Sequence, residues 1–384
     1  MRVLMTCVPV MGHVNPLVPV AEAFMAAGDE VFVATGPAVA ATVEATGAKY
    51  VEAGQDFGAW FGRLASRGRV APGDGLAPEQ ILRYFLPRVF GEVGIDDMID
   101  DVLAAASNVS PDLIVFETFA LAGPLAAKVA GIPTVHIPIT LPLGRQVIDL
   151  IDDAVTPMWR HLGHDSPGSA GIFNGVTADI WPSALGVHDE VDGVHLSLRP
   201  SPVPERNASR SERPTIYVTL GTIYGGNHNL FVQVLDGLAT VDAHVVVTLG
   251  ANQDPGPLRA LAPHVTVERY IPQAELLPEC SAVIHHGGSG TMFAALAHGL
   301  PQVVIPQGAD NYVNGRAVAD AGVGALVNPE NVSADAIRAA VIDVLGSPGY
   351  QQAADVAAAQ IAAMPSAQEF VTAVRDTIGA TVPA

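Results

Sequence analysis

The sequence predicts an α/β protein made of two Rossmann-like, doubly wound domains, and three observations predict it. Apolar, β-branched runs alternate with segments of helical length from the first residues onward, a proline- and charge-rich stretch interrupts the alternation, and the rhythm then restarts. The first run, "RVLMTCVPV" (2 to 10), is apolar throughout, as a strand covered on both faces must be. Asn15 and Pro16 suit the cap and first position of a helix in which Leu17, Val20, Ala21 and Phe24 recur at helical spacing until Gly28. "DEVFVAT", "PAVAATVEATG" and "AKYVEAG" then read as strand, helix and strand, and "PDLIVFE", "FALAGPLAAKVAG" and "IPTVHIPI" resume the rhythm.

The stretch "RPSPVPERNASRSERP" (199 to 214) carries no apolar period and reads as a linker. After it "TIYVTLGT", "HVVVTLG", "VTVERYI", "AVIHHGG" and "QVVIP" read as strands. The expected division is therefore 1–200, a linker over 201–213, a second α/β domain over 214–365 and a closing helical segment over 366–384. Two such domains in tandem place the carboxyl ends of both sheets around a central cleft, where open α/β sheets bind ligands.

Composition narrows the partners. The 384 residues exceed one ordinary core, and the formal net charge of -20 opposes nucleic acid and anionic membrane, which need a basic footprint. A small partner fits better, and an anionic one has to be held locally, at helix N-termini. Cys7 and Cys280 are too sparse for a disulfide framework, which points to a reducing cytoplasm. The opening apolar run meets Gly-His-Val-Asn-Pro too soon to be an export signal, and no run of about twenty apolar residues suggests a membrane span.

Two segments do not keep time, roughly 55 to 105 and 140 to 173. The first crowds Phe57, Trp60, Phe61, Tyr84, Phe85 and Phe90, which can form an apolar wall for a bulky ligand or simply pack helices onto the sheet. The acids of "IDDMIDDVL" read as one solvated helix face. "HDEVDGVH" (188 to 195) has metal-ligand residue types but lies in a loop nearing the linker, so no metal site is expected.

The most informative stretch is "VIHHGGSGTMFAALAHGLPQVVIP" (283 to 306). A strand entering a glycine-rich turn and then a helix gathers unpaired N–H groups and the positive end of the helix dipole at one point, which suits phosphate. Gly288 and Gly290 let backbone approach oxygen closely, Ser289 and Thr291 add hydroxyls, and His285 can donate to an oxyanion; a plain tight turn is the other reading.

"RYIPQAELLP" upstream and "PQVVIPQGADNYVNGRAVADAGVG" downstream complete a set that resembles the donor-binding signature of GT-B glycosyltransferases, above all actinomycete enzymes that attach deoxysugars to polyketide, enediyne and related antibiotics. The opening Gly-His-Val-Asn-Pro-Leu matches too, so the likeness spans nearly the whole chain. It implies that Tyr270 stacks on the nucleobase beside Gln273 and that His285, Ser289, Gly290 and Thr291 contact diphosphate. It also implies that Gly221 and Thr222 approach the donor, that Asp310 and Asn311 face the sugar, and that the closing helix returns to the first domain. Where many uridine-using relatives carry an acid for the ribose hydroxyls, eight positions after the first histidine, this chain has Phe293, which favours a dTDP-sugar over a UDP-sugar. Asn311 stands where the family usually has the longer Gln, so the sugar itself is left open.

Transfer to a hydroxyl needs a base on the acceptor side. His13, in the turn after the first strand, is catalytic or structural on its own terms; the resemblance implies general base. Glu117, at the end of "PDLIVFE", is the carboxylate expected to orient it, or else a cap for the next helix. The expectation is thus an inverting, metal-independent hexosyltransferase with no cofactor, moving a deoxysugar from dTDP to a hydroxyl of a hydrophobic aglycone bound by Phe57, Trp60, Phe61, Tyr84 and Phe85, as monomer or homodimer. A UDP-sugar transferase, a sugar-nucleotide epimerase of the same fold and a non-catalytic nucleotide-sugar-binding helper are the alternatives. A dinucleotide dehydrogenase fits least, because "VPVMGHVNP" lacks the G-x-G-x-x-G turn.

Overall fold

Seven parallel strands form the first sheet: β1 (Arg2–Thr6), β2 (Glu30–Thr35), β3 (Lys49–Glu52), β4 (Leu113–Glu117), β5 (Thr134–Ile137), β6 (Val176–Asp179) and β7 (Val194–Ser197), in the order β3-β2-β1-β4-β5-β6-β7. Six form the second: β8 (Thr215–Thr219), β9 (His244–Thr248), β10 (Thr266–Glu268), β11 (Ala282–His285), β12 (Gln302–Val304) and β13 (Gly324–Leu326), in the order β10-β9-β8-β11-β12-β13. This computed structural model describes residues 1–68, 78–187, 193–203, 213–221, 226–250, 253–262 and 264–381. Thr222, His188, Asp189, Glu190 and most of the linker lie outside the described residues.

The chain sorts into two units. The first comprises Met1–Ile180, Asp189–Leu198 and Pro365–Ala384, and the second Trp181–His188 and Arg199–Met364. Strands in the middle of each sheet are the continuous apolar runs of the sequence; all five residues of β4 are buried. The strands that sequence reading did not anticipate, β6, β7 and β13, are short and lie toward sheet edges, and β7 is largely exposed, so neither length nor periodicity announces them.

The first crossover differs from expectation. Met11–Val14 make a separate helical turn, α1, and the longer helix α2 (Val18–Ala26) begins only afterward, with Pro19 in its first turn. Asn15 is the C-cap of α1 instead of the N-cap of α2, whose N-cap is Leu17, and His13 lies on the helical turn that follows β1. The arrhythmic segment that follows holds α3 (Phe57–Ser66), α4 (Pro78–Leu86), a π-helical turn (Pro87–Gly94) and α5 (Ile95–Val109), and α6 (Ala122–Ala130) follows β4. In the second unit α7 (Ser289–Ala297) follows β11 and α8 (Asn311–Asp320) follows β12. The last helix, α9 (Ala367–Thr381), belongs to the first unit, where Phe370 and Val374 are buried and Arg375 donates to both oxygens of Asp29 at 2.9 and 2.8 Å.

The acids of α5 are not simply a solvated face. The Asp97 side chain is 1% exposed and accepts from Trp60 Nε1 (2.9 Å), from the Gln55 amide (2.6 Å) and from Arg63 (2.7 Å). Asp101 accepts from the Gly54 amide at 2.9 Å, and Asp96 pairs with Arg67. One face of α5 therefore ties down the loop after β3 and the start of α3, because those backbone N–H groups have no ladder partner and need an acceptor. Asp97→Ala strands the buried Trp60 indole N–H and returns the Gln55 amide and Arg63 to water, and is expected to cost about 2 kcal/mol in a denaturant titration, against less than about 0.5 kcal/mol for exposed Asp100→Ala.

Candidate active site

In each sheet the strand order reverses once, between β1 and β4 and between β8 and β11. The crevice outside the carboxyl ends at such a reversal is where open α/β sheets bind ligands. His13 follows β1 and Glu117 ends β4; Gly221 follows β8 and His285 ends β11. A cavity of about 540 Å³ in the first unit, beside Thr134, Val176 and Thr377, lies at the opposite, amino-terminal ends of β5 and β6 and takes no part in this arrangement.

Glu117 is fully buried, and both its oxygens are used. Oε1 accepts from the Val8 amide and from His13 Nδ1, both at 3.0 Å, and Oε2 accepts from the Phe119 amide at 2.8 Å. The carboxylate thus holds the histidine and its own turn; it does not cap the next helix, whose N-cap is Leu121, without a side-chain cap hydrogen bond. As an acceptor it fixes the tautomer: His13 carries its proton on Nδ1, and Nε2 keeps a free lone pair. The imidazole is 15% exposed, enough for a ligand to reach it.

Aromatic rings flank the imidazole. Phe90 and Phe119 each lie 5.9 Å from the imidazole centroid and stack on one another at 4.4 Å. The chain of rings continues through Phe57, stacked on Phe90 at 6.0 Å, and through Phe85 to Phe61, stacked at 5.7 Å. Phe57, Phe61 and Tyr84 are half-buried and available to a ligand. Trp60 is not: it is 1% exposed, because its indole N–H finds Asp97 behind the wall and its ring packs against Gly94. It is a core residue, a correction to its expected place. Phe119 was missed by sequence reading; its one signal is its position two residues beyond Glu117.

The glycine turn is a lattice of side chains supporting a short stretch of backbone. His285 is fully buried; its Nδ1 accepts from the Gly287 amide (3.1 Å) and its Nε2 donates to Gln302 Oε1 (2.7 Å). With both nitrogens engaged it has no donor for an oxyanion, contrary to expectation: the pleat of β11 turns it inward, and its work is to shape the turn. Asn311 is likewise 3% exposed, its amide oriented to donate to the carbonyls of His286 (3.2 Å) and Gly308 (3.0 Å), so it faces the turn and not a sugar. Ser289 gives its proton to Asp310 at 3.1 Å. The joint of the lattice is Asn314, fully buried, whose Nδ2 reaches Gly287 O (2.8 Å), Ser289 Oγ (2.9 Å) and Asp310 Oδ2 (3.1 Å). Gly221, at φ 69°, has to be glycine, since a Cβ would lie 2.5 Å from the His286 ring.

What the lattice leaves open is the start of α7. Gly290 is exposed, Thr291 accepts from Gln273 Nε2 at 3.2 Å and keeps its own proton, and the first amides of the helix have no partner within it. Tyr270 stands 67% exposed two residues before Pro272 and Gln273, an exposed ring suited to stacking. Phe293 is 4% exposed in α7.

Comparison with known proteins agrees with this geometry. Residues 232–376 match the C-terminal domain, and residues 80–168 the N-terminal domain, of the family described as erythromycin biosynthesis protein CIII-like. The chain is 30% identical to tylactone mycaminosyltransferase of Streptomyces fradiae, over 95% of this chain and 90% of that one. It is 30% identical to 10-deoxymethynolide desosaminyltransferase of Streptomyces venezuelae, over 92% of each. Among solved structures it resembles the Streptomyces sp. SF2575 glycosyltransferase SsfS6 in complex with thymidine diphosphate, with a TM-score of 0.78 and 25% identity over 98% of this chain and 99% of that one. The two α/β units have the fold of a GT-B glycosyltransferase, and the chain is a glycosyltransferase. The chain belongs to the actinomycete antibiotic glycosyltransferases of the erythromycin CIII-like family.

No described helix is long and apolar enough to cross a membrane. Burial holds His285 down to about 4, and His286, with His285 beside it, down to about 3, from an ordinary 6.5. The unfolded chain protonates both rings near pH 6.5 while the folded chain keeps them neutral, so the stability they contribute is present above that pH and is lost as pH falls toward 4. Scanning calorimetry is expected to give a falling Tm over that window, with His285 alone contributing on the order of 2 kcal/mol at about pH 5. His285→Gln should flatten the slope.

Proposed function

We propose that this glycosyltransferase inverts the anomeric centre while moving a deoxysugar from a dTDP-sugar to a hydroxyl of a hydrophobic polyketide aglycone, with His13 as general base. The observation that carries the reading is the pairing of His13 Nδ1 with buried Glu117 at 3.0 Å, which leaves Nε2 free beside a wall of aromatic rings. An acceptor hydroxyl hydrogen-bonded to Nε2 attacks the anomeric carbon from the face opposite the diphosphate. The new C–O bond forms as the old one breaks, the proton passes to Nε2, and Glu117 compensates the imidazolium. An α-linked donor of the D series gives a β product.

The donor belongs to the second unit in this reading. Thymine stacks on Tyr270, Gln273 lies beside it, and the diphosphate sits at the start of α7 near Gly288, Ser289, Gly290 and Thr291, with Asp310 toward the sugar. The N–H groups and dipole there meet the charge of the departing diphosphate electrostatically, so the reaction as written does not call on a metal. Phe293, buried where uridine-using relatives carry an acid, supports a 2'-deoxyribose. The names of the relatives support a macrolactone-like acceptor, and thymidine diphosphate in SsfS6 supports the nucleotide. Cys7 and Cys280 are buried thiols outside any disulfide, which supports a reducing cytoplasm.

Calorimetric titration in the presence of chelator is expected to give dTDP binding at least several-fold tighter than UDP; the reverse order would overturn the donor assignment. With tylactone or 10-deoxymethynolide as acceptor, His13→Ala is expected to lower turnover about a thousandfold and to leave dTDP affinity unchanged, and Glu117→Gln to lower turnover less. Unchanged turnover in His13→Ala removes it from the mechanism.

A further inference from the structure

One buried side chain near the dyad is not explained by packing. His136, on β5, is 2% exposed, stacked on Phe116 at 5.5 Å and edge-on to Phe173 at 5.6 Å. Its Nε2 lies 3.1 Å from Thr118 Oγ1, while its Nδ1 is buried with no hydrogen-bond partner among the described residues. Burial holds the ring neutral, down to about 3. A phenylalanine would fill the same place between the same two rings without an unpaired nitrogen, and with valine in place of Thr118, so that no hydroxyl is stranded, exchanging the pair for apolar groups of similar shape is neutral or favourable to stability. What the imidazole supplies and a phenyl ring would not is the hold on Thr118.

Thr118 links two of the groups that touch the His13 ring. Glu117 before it holds Nδ1, and Phe119 after it packs on the imidazole and on Phe90. Thr118 is 6% exposed, and its hydroxyl makes no other hydrogen bond among the described residues. In the register of the sheet His136 stands directly beside Phe116 on β4, so the ring reaches past the strand end to the turn without displacing the strand.

We propose that His136 is a positioning residue for glycosyl transfer, acting through Thr118 to fix the turn that aims Glu117 and Phe119 at His13. The inference rests on the general-base reading above. The Thr118 hydroxyl bonds His136 and neither His13 nor Glu117, so it can be removed without touching the base.

The test begins with the proton spectrum of the full chain. The Nδ1 proton of His13, held by a buried carboxylate, is expected far downfield and is assigned by its loss in His13→Ala. In His136→Phe and in Thr118→Val this resonance should broaden away through exchange, and in Thr118→Ser, which keeps the hydroxyl, it should persist. The Tm of the double variant His136→Phe, Thr118→Val, which strands no hydroxyl, should equal or exceed that of the parent. With tylactone or 10-deoxymethynolide as acceptor, kcat should fall about ten- to a hundredfold in the first two variants, with the KM for donor unchanged. An unchanged resonance and kcat in His136→Phe and Thr118→Val overturn the proposal, and so does equal loss in Thr118→Ser. If His136→Phe does not fold, the contrast between Thr118→Val and Thr118→Ser decides alone. A parent lacking the downfield resonance, or a fully active His13→Ala, overturns this proposal together with the base assignment. Loss of activity in His13→Ala with a parental His136→Phe overturns this one only.

Discussion

One buried carboxylate organises the first unit. Glu117 ends a strand with no exposed residue, and three N–H groups from three places in the chain converge on it: Val8, His13 and Phe119. An acceptor at zero exposure is tolerable only when it is fully satisfied, so its donors are held where it needs them. The turn after β1, the turn after β4 and the tautomer of His13 are therefore one cooperative arrangement. Removing the acceptor would leave buried donors unpaired and would free the imidazole to rotate.

The second unit reaches the same end by neutral means. Its glycine turn is shaped by His285, Gln302, Asn311 and Asn314, all buried, whose side chains bond to backbone, to one another or to Ser289 and Asp310. Burial keeps the histidines uncharged, so the positive potential at the start of α7 comes from backbone dipoles and not from cationic side chains. That suits a chain whose formal charge is -20, where any bound anion has to be held against the overall field. Ala309, a non-glycine residue at φ 49° just before Asp310, adds local strain to the same place, as ligand-facing turns often do.

The aromatic segment links packing to chemistry. Phe90, on a π-helical turn, and Phe119, after Glu117, lie within reach of the imidazole, and the rings beyond them are progressively more exposed. Asp97 anchors the back of this wall through Trp60, so the helix of acids that looks like a solubility device in isolation is part of what orients the apolar surface.

The sequence by itself determined the alternation of strands and helices, the interruption near residue 200, the pair His13 and Glu117, and the glycine turn. Each of these is a local pattern: continuous apolar runs, breakers, or a motif within a dozen residues. Only the tertiary structure decided which members of the motif face outward. Exposure along a turn depends on the pleat of the strand before it and on partners far away in sequence, as His285 depends on Gln302 and Trp60 on Asp97. For the same reason Asn314, Phe119 and His136 were illegible as site residues. Their significance lies in long-range contacts that periodicity does not encode, since the same amide or ring placed elsewhere on its helix or strand would be ordinary core.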